Sequence, residues 1–361
     1  MKDYIFVLGR DYKLSILEII SYFSSRKVKF DLKEFNKEVA IVSLPNLNFS
    51  KLIIDLGGIV KIAEILPINF EVSNFIHKNK INYSISVYGK TKLGSDLRVY
   101  LKNKFKEEGI KAMYKKSKTK QLMPRDLKNV LEFLVYKDFV AFTLVVSDLK
   151  SYKERDKRPC NDFLKSTSIR LSKIMINLSG VEKGETLLDP FCGTGVILQE
   201  ALMKEINVVG IDIDKKYVDC SIDNCEWLKK KYNLKANFRI FQRDSTKLGN
   251  RLKEKFDVVV TEPFLGPFIK KTLDYGEAKR ISSEVEKLYL GFLQSLKKLV
   301  KKKIVLIVPV FVTKNQKEIK INLDEILMKL GFKDCNYKIF DKPILYSVNR
   351  GKIKREIHII Q

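Results

Sequence analysis

The chain has 361 residues, too many for one ordinary hydrophobic core, so two or three domains are expected. With 45% hydrophobic and 31% charged residues the composition excludes a disordered chain, and the longest apolar run, residues 304–312, is too short to cross a bilayer. Lysine and arginine number 69 against 43 acids, a net charge of +26, which favours polyanionic partners because each neutralised phosphate releases condensed counterions. A lysine-rich host proteome is the alternative source of that excess. No charged-then-apolar leader opens the chain. The five cysteines (Cys160, Cys192, Cys220, Cys225 and Cys335) form no C-x-x-C pair, so neither a disulfide framework nor a zinc site is expected, and a reducing cytoplasm fits.

In chain order, residues 4–8 predict a strand, 14–23 a helix and 39–44 a strand. Residues 49–56 predict a helix stopped by Gly57 and Gly58, and 59–65 a closing strand. That alternation suits a small α+β unit over residues 1–69. A second α+β unit is expected over 70–150, from strands at 83–87, 110–114 and 139–146 and a helix at 97–105 stopped by Gly109. Within it lies a basic tract with Lys111, Lys115, Lys116, Lys118, Lys120 and Arg125, interrupted by Tyr114. Such a tract is either a solvated loop or a phosphate-tracking surface, and the overall charge favours the second. Residues 151–168, carrying Arg155, Asp156, Arg158 and Pro159, are polar and read as a linker.

From residue 169 to 361 the rhythm is that of a parallel α/β sheet, with strands predicted at 185–189, 207–213, 238–242, 256–261 and 304–310 and two later ones. Runs such as Asp257-Val-Val-Val260 are nearly all β-branched or apolar, as strands covered by helices on both faces require.

The sharpest signal is Leu187-Leu-Asp-Pro-Phe-Cys-Gly-Thr-Gly-Val-Ile-Leu198: a strand ending on Asp189, a loop with Phe191, Gly193 and Gly195, then a helix. Ligands of open α/β sheets sit beyond such strand ends. A nicotinamide site would need Gly or Ala at Leu198 to complete G-x-G-x-x-G, and an acid beside a pyrophosphate would be repelled. An acid there suits a ligand bearing an ammonium and a sulfonium. The next strand ends on Asp212, the expected partner of ribose hydroxyls, while Asp214 is expected to cap the following helix. The third reaches Asp244 and Ser245, where an adenine amine could be held. Three acids on consecutive strands point to S-adenosylmethionine as cofactor.

The fourth strand ends in Thr261-Glu262-Pro263-Phe264-Leu265-Gly266-Pro267. Amino-methyltransferases carry (Asp/Asn)-Pro-Pro-(Tyr/Phe) at this place, where oxygen acceptors aim the lone pair of an exocyclic amine. With Arg155-Asp156-x-Arg158-Pro159, Lys173-Ile-Met-Ile-Asn-Leu178, the Asp189–Gly195 loop and Gly210-Ile-Asp-Ile-Asp214, the chain resembles the THUMP-domain RNA methyltransferases, in particular archaeal tRNA guanosine-N2 methyltransferases. The resemblance implies a C-terminal Rossmann-like methyltransferase domain over 169–361, preceded by a ferredoxin-like unit and a THUMP-like unit that hold tRNA. It implies catalytic roles for Glu262, Pro263 and Phe264, and RNA contacts from the basic tract together with Arg155 and Arg158. Departures are Glu262, one methylene longer than the usual acid, Leu265 in place of an aromatic, Cys160-Asn161 in the linker, and Ser168-Ile169 where a proline pair is usual. Two other functions are compatible with these residues: a DNA amino-methyltransferase using the same loop, and a non-catalytic RNA-binding protein retaining the fold.

Overall fold

The computed structural model describes residues 1–361 except 75, 77–79, 117–121, 163–165, 251, 253, 270, 336–338, 341–343 and 347–352. The chain divides into two compact units, one of residues 1–16 and 27–153, the other of 17–26 and 154–361.

The first unit is built on one eight-stranded sheet. Its first half runs β1 (Lys2–Leu8), α1 (Tyr12–Ser25), whose residues from 17 on belong to the second unit, β2 (Asp31–Phe35), β3 (Val39–Leu44), α2 (Phe49–Asp55) and β4 (Ile59–Ile65). Its second half runs β5 (Lys80–Tyr88), α3 (Leu93–Glu107), β6 (Lys111–Tyr114), β7 (Leu131–Tyr136) and β8 (Phe139–Val146). The strand order is β2-β3-β1-β4-β8-β7-β5-β6, so the two halves join through the antiparallel pair β4–β8. Two strands were not expected. β2, Asp-Leu-Lys-Glu-Phe, is a charged edge strand, which carries little hydrophobic signal. β7 follows the basic tract after a 3-10 helix (Pro124–Asn129) and buries almost all of Leu-Glu-Phe-Leu-Val-Tyr.

Inside that sheet Lys61 and Glu132 are both buried and paired at 2.6 Å. Ser86 and Thr143 also donate to the Glu132 carboxylate, Thr143 at 2.7 Å. The positive charge and the two hydroxyls together satisfy a carboxylate that burial would otherwise penalise heavily.

A short helix, α4 (Leu149–Arg155), forms where a linker was expected. The second unit then continues α5 (Ile169–Ser179), β9 (Thr186–Asp189), α6 (Val196–Leu202), β10 (Asn207–Asp212), α7 (Lys215–Tyr232) and β11 (Phe238–Gln242). It ends with β12 (Phe256–Thr261), α8 (Tyr275–Leu296), β13 (Val300–Val312), β14 (Glu318–Lys320), α9 (Leu323–Leu330), β15 (Ile344–Tyr346) and β16 (Ile353–Ile360). The sheet order is β11-β10-β9-β12-β13-β16-β15, parallel from β11 to β13 and antiparallel at β13–β16. The order reverses between β9 and β12, which makes the C-terminal ends of these two strands the switch point of a doubly wound sheet. This is a Rossmann-like methyltransferase fold. Its core packs Phe256, Val259, Leu306 and Val308 against Ile281, Tyr289 and Phe292 of α8. No helix among the described residues is long and apolar enough to cross a membrane.

Candidate active site

Two adjacent strand ends make the site. β9 delivers Asp189, which is 1% exposed, and β12 delivers Thr261 and then Glu262. The Thr261 hydroxyl donates to Asp189 Oδ1 at 2.7 Å, and the Phe191 amide donates to the same oxygen at 3.2 Å. The loop that follows turns through Gly193 and Gly195, with φ of 52° and 79°, in the left-handed region that glycine enters without strain. A Cβ on Gly195 would in addition collide with the Ser221 hydroxyl. Gly195 is the N-cap of α6. The Gly193 amide donates to Asp212 Oδ2 at 2.9 Å, tying the loop to the end of β10.

A small pocket, partly open to solvent, lies here. Asp189, Phe191, Gly193 and Glu262 line it, so the expected cofactor loop and the expected catalytic acid share one cavity. Among the described residues Ser166, Thr167, Cys192, Thr194, Val196 and Ile197 also line it. Gly195, Asp212, Asp244, Ser245, Pro263 and Phe264 are not part of that lining. Asp212 stands just behind it, its second oxygen accepting the Asp214 amide at 3.0 Å. Asp214 caps α7 through the Lys216 amide, as its position after β10 leads one to expect. Asp244 accepts from the Thr246 amide and hydroxyl and lies 3.2 Å from Lys247, so its carboxylate serves a local turn. Ser245 is buried and donates to the Pro190 carbonyl. Pro263 is buried, whereas Phe264 is 54% exposed.

The electrostatics are one-sided. Burial pushes the Asp189 carboxyl up to about 7, and the neighbouring Asp212 and Glu262 carboxylates push the same way against the pull of the two hydrogen bonds. Burial also raises Asp212. The Asp244 carboxyl is held below its ordinary value, chiefly by the Thr246 hydroxyl. The Cys192 thiol rises well above its usual range through burial, so it is a filler of the wall rather than a nucleophile.

Glu262 is held from two sides. Arg355 Nε of β16 donates to Oε1 at 2.7 Å, and the Thr167 hydroxyl donates to Oε2. Neither donor was expected from the sequence, because each lies more than ninety residues away from Glu262. Asn224 of α7 was also missed. Its side-chain amide donates to the Thr194 carbonyl at 2.9 Å and the Cys160 carbonyl at 2.8 Å, stitching the linker to the glycine loop.

Two expectations need correction. Arg155 and Arg158 were expected to touch RNA, but they are 4% and 5% exposed. Arg155 makes a two-point ion pair with the buried Glu200 of α6, at 2.7 and 3.2 Å, and burial pulls the Arg158 guanidinium below its ordinary value. Both are committed to the interior. Nor are the cysteines all unpaired: Cys160 and Cys220 form a disulfide, because α7 carries Cys220 beside the linker. Of the basic tract, Lys111, Lys115, Lys116 and Arg125 are exposed, and Lys118 and Lys120 lie outside the described residues.

Residues 155–321 match the family described as RMKL-like, methyltransferase domain. Residues 28–223, more than half of the chain, match the family described as DNA methylase. The chain belongs to this methylase family. That match ends before β12 and leaves the Glu262 loop outside it. Among curated proteins, this methylase is 40% identical over 131 residues to the tRNA (guanine(10)-N2)-dimethyltransferase of Methanothermobacter thermautotrophicus, covering 36% of this chain and 34% of that one. It is 34% identical over 117 residues to the protein of the same name from Methanocaldococcus jannaschii, covering 31% of each. It is 31% identical over 141 residues to bovine tRNA (guanine(10)-N(2))-methyltransferase TRMT11, covering 35% and 30%. The matched part thus spans about a third of the length of these relatives. Among solved structures, TrmN from Thermus thermophilus superposes with a TM-score of 0.55 at 12% identity over 99% of both chains. A possible methylase of Clostridium difficile 630 gives 0.52 at 13% identity, over 99% and 97%. At such identities the likeness is one of fold.

Proposed function

We propose that the protein is an S-adenosylmethionine-dependent tRNA methyltransferase acting on the exocyclic N2 of a guanosine. The observation that carries this reading is that Asp189 and Glu262 line one pocket at the switch point of a methyltransferase sheet. The donor set fits the cofactor: a buried acid supported by neutral hydrogen bonds, with further acids beside it, suits a cationic amino acid. Asp189 would hold the ammonium and Asp212 the ribose hydroxyls. Phe191 and the glycine backbone would flank the ligand, with Asp244 and Ser245 toward the base. When bound, the cofactor supplies an electrophilic methyl group on a sulfonium. The chain's part is positioning: Glu262 and the adjoining main chain accept hydrogen bonds from the amine, orient its lone pair and offset the positive charge that grows on nitrogen. Exposed Phe264 offers a stacking face for the base.

The guanosine reading draws on the relatives' names. The tRNA reading draws on these and on the exposed Lys111, Lys115, Lys116 and Arg125, on a chain of net charge +26. In this reading residues 1–69 are ferredoxin-like, 70–150 are a THUMP-like RNA-binding module, 151–168 are a linker, and the protein works in the cytoplasm. The family description favours a second reading, methylation of an amine in DNA. One experiment tests both: the protein is incubated with labelled cofactor and either unmodified tRNA or duplex DNA, and the nucleosides are resolved by mass spectrometry. N2-methylguanosine is the expected product. Label appearing only in DNA would replace the first reading with the second, and no label in either would remove both.

A further inference from the structure

We propose that Arg355 and Thr167 are positioning residues that make Glu262 a fixed two-point acceptor for the amine being methylated. The inference rests on the functional reading above. A glutamate side chain has three rotatable bonds, so an acceptor that must aim a lone pair needs its carboxylate held from outside. Among the described residues each oxygen receives one donor, Oε1 from Arg355 Nε at 2.7 Å and Oε2 from the Thr167 hydroxyl. A carboxylate offers about four acceptor directions, so both oxygens keep a further lone pair for a substrate hydrogen.

The donors come from opposite directions in the chain. Arg355 lies on β16, in antiparallel register with Pro309 of β13. Thr167 precedes α5, whose N-cap is Ser168. The glutamate side chain is 10% exposed and the arginine 24%, so the pair is shielded enough to hold one geometry yet open toward the pocket. Pro263, buried directly after Glu262, holds the backbone. Arg355 has a second effect. Its positive charge offsets the mutual repulsion of Glu262 and Asp189, which line the pocket, and of Asp212 just behind it.

A purely structural ion pair between β16 and the loop after β12 would hold the fold without affecting the chemistry, and the test separates the two roles. Arg355→Met is expected to slow single-turnover methylation of unmodified tRNA by about ten- to hundredfold, the scale of one charge-assisted hydrogen bond. Affinity for tRNA should stay close to wild type. Arg355→Lys should recover part of the rate, because it restores the charge but not the planar Nε hydrogen bond. Combining Arg355→Met with Glu262→Gln should cost little more than Glu262→Gln alone, since both changes break the same ion pair. The binding readout is calorimetric: with its partner removed, Glu262 should favour the sulfonium cofactor over the uncharged thioether product severalfold more than in wild type. Thr167→Val, which leaves β16 untouched, should slow transfer in the same sense and keep the clamp testable if Arg355→Met fails to fold. Wild-type transfer rates in both Arg355→Met and Thr167→Val, or fully additive losses in the double variant, would overturn the proposal. If the wild-type protein methylates no RNA at all, the functional reading fails instead. The affinity ratio then tests the clamp alone, and an unmoved ratio rejects it.

Discussion

Glu132 in the first unit and Asp189 in the second are both buried carboxylates, and their surroundings treat them in opposite ways. Glu132 receives Lys61 at 2.6 Å and two hydroxyls, so charge and lone pairs are answered within the sheet. Among the described residues Asp189 receives only a hydroxyl and an amide, and the further charges that act on it most, Asp212 and Glu262, are acids. An arrangement like the first serves the fold. The second leaves negative charge at a strand end in excess of what the fold requires, and a cationic ligand is what would complete it.

The largest effect expected from breaking this contrast falls on the structural carboxylate. Lys61→Met leaves Glu132 buried and unpaired, which should destabilise the first unit by about 3–5 kcal/mol. Denaturant unfolding reads this directly, and a near-zero change would show that the pair is not holding the sheet. Next comes Glu262→Ala, which removes the acceptor without touching Asp189. Transfer to tRNA should fall by about 10²–10³ in single-turnover rate, while cofactor affinity measured by calorimetry stays within a few fold. Equal losses in both would mean that Glu262 belongs to the cofactor site.

Asp189→Asn should weaken S-adenosylmethionine by about ten- to hundredfold, the scale of one charge-assisted hydrogen bond. Here the two carboxylates should part company. Because the folded protein holds the Asp189 carboxyl up to about 7, above the unfolded value near 4, the native state binds the proton more tightly. The stability it contributes is fully present below about pH 4 and is lost as pH rises to about 7. Asp189→Asn should therefore raise the Tm of the ligand-free protein at pH 8 and flatten its fall across that window. A lowered Tm at pH 8 would mean that the carboxylate is a structural group like Glu132.

These contrasts were legible in the sequence only where the signal is local. The strand-loop-helix from β9 to α6 places Asp189, Gly193 and Gly195 by hydrophobic run and glycine spacing, and β11 and β12 lie where their apolar runs put them. What depends on partners far along the chain was not legible. The sequence around Arg155 and Arg158 is dense in charge and reads as surface, yet the Glu200 that buries Arg155 lies 45 residues on. Cys160 meets Cys220 across 60 residues. Nothing in the spacing of Glu262, Arg355 and Thr167 announces that they meet. β2 was missed because an edge strand made of charged residues lacks the apolar alternation that marks a strand.

The smallest effect is expected on the basic surface. Replacing Lys111, Lys115 and Lys116 with Gln should lower the log–log salt slope of tRNA binding by about 0.9 for each phosphate that is no longer neutralised, by analogy with duplex DNA. Cofactor affinity should not move. An unchanged slope would reduce these lysines to solvated charges.

The most direct test of the acid-lined pocket is the pH dependence of cofactor binding, followed by calorimetry between about pH 5.5 and pH 8.5 in buffers of different ionisation enthalpy. Asp189 must lose its proton to hold the ligand ammonium, so affinity should rise by up to about tenfold per pH unit until near pH 7. Proton release should be visible as a buffer-dependent heat. Above about pH 8 affinity should fall again, as the ligand's own amino group, with an ordinary pKa of about 7.7–8.0, is neutralised. Affinity that is flat from about pH 5.5 to 7, with a heat independent of buffer, would contradict the assignment of Asp189 as the carboxylate that holds the cofactor.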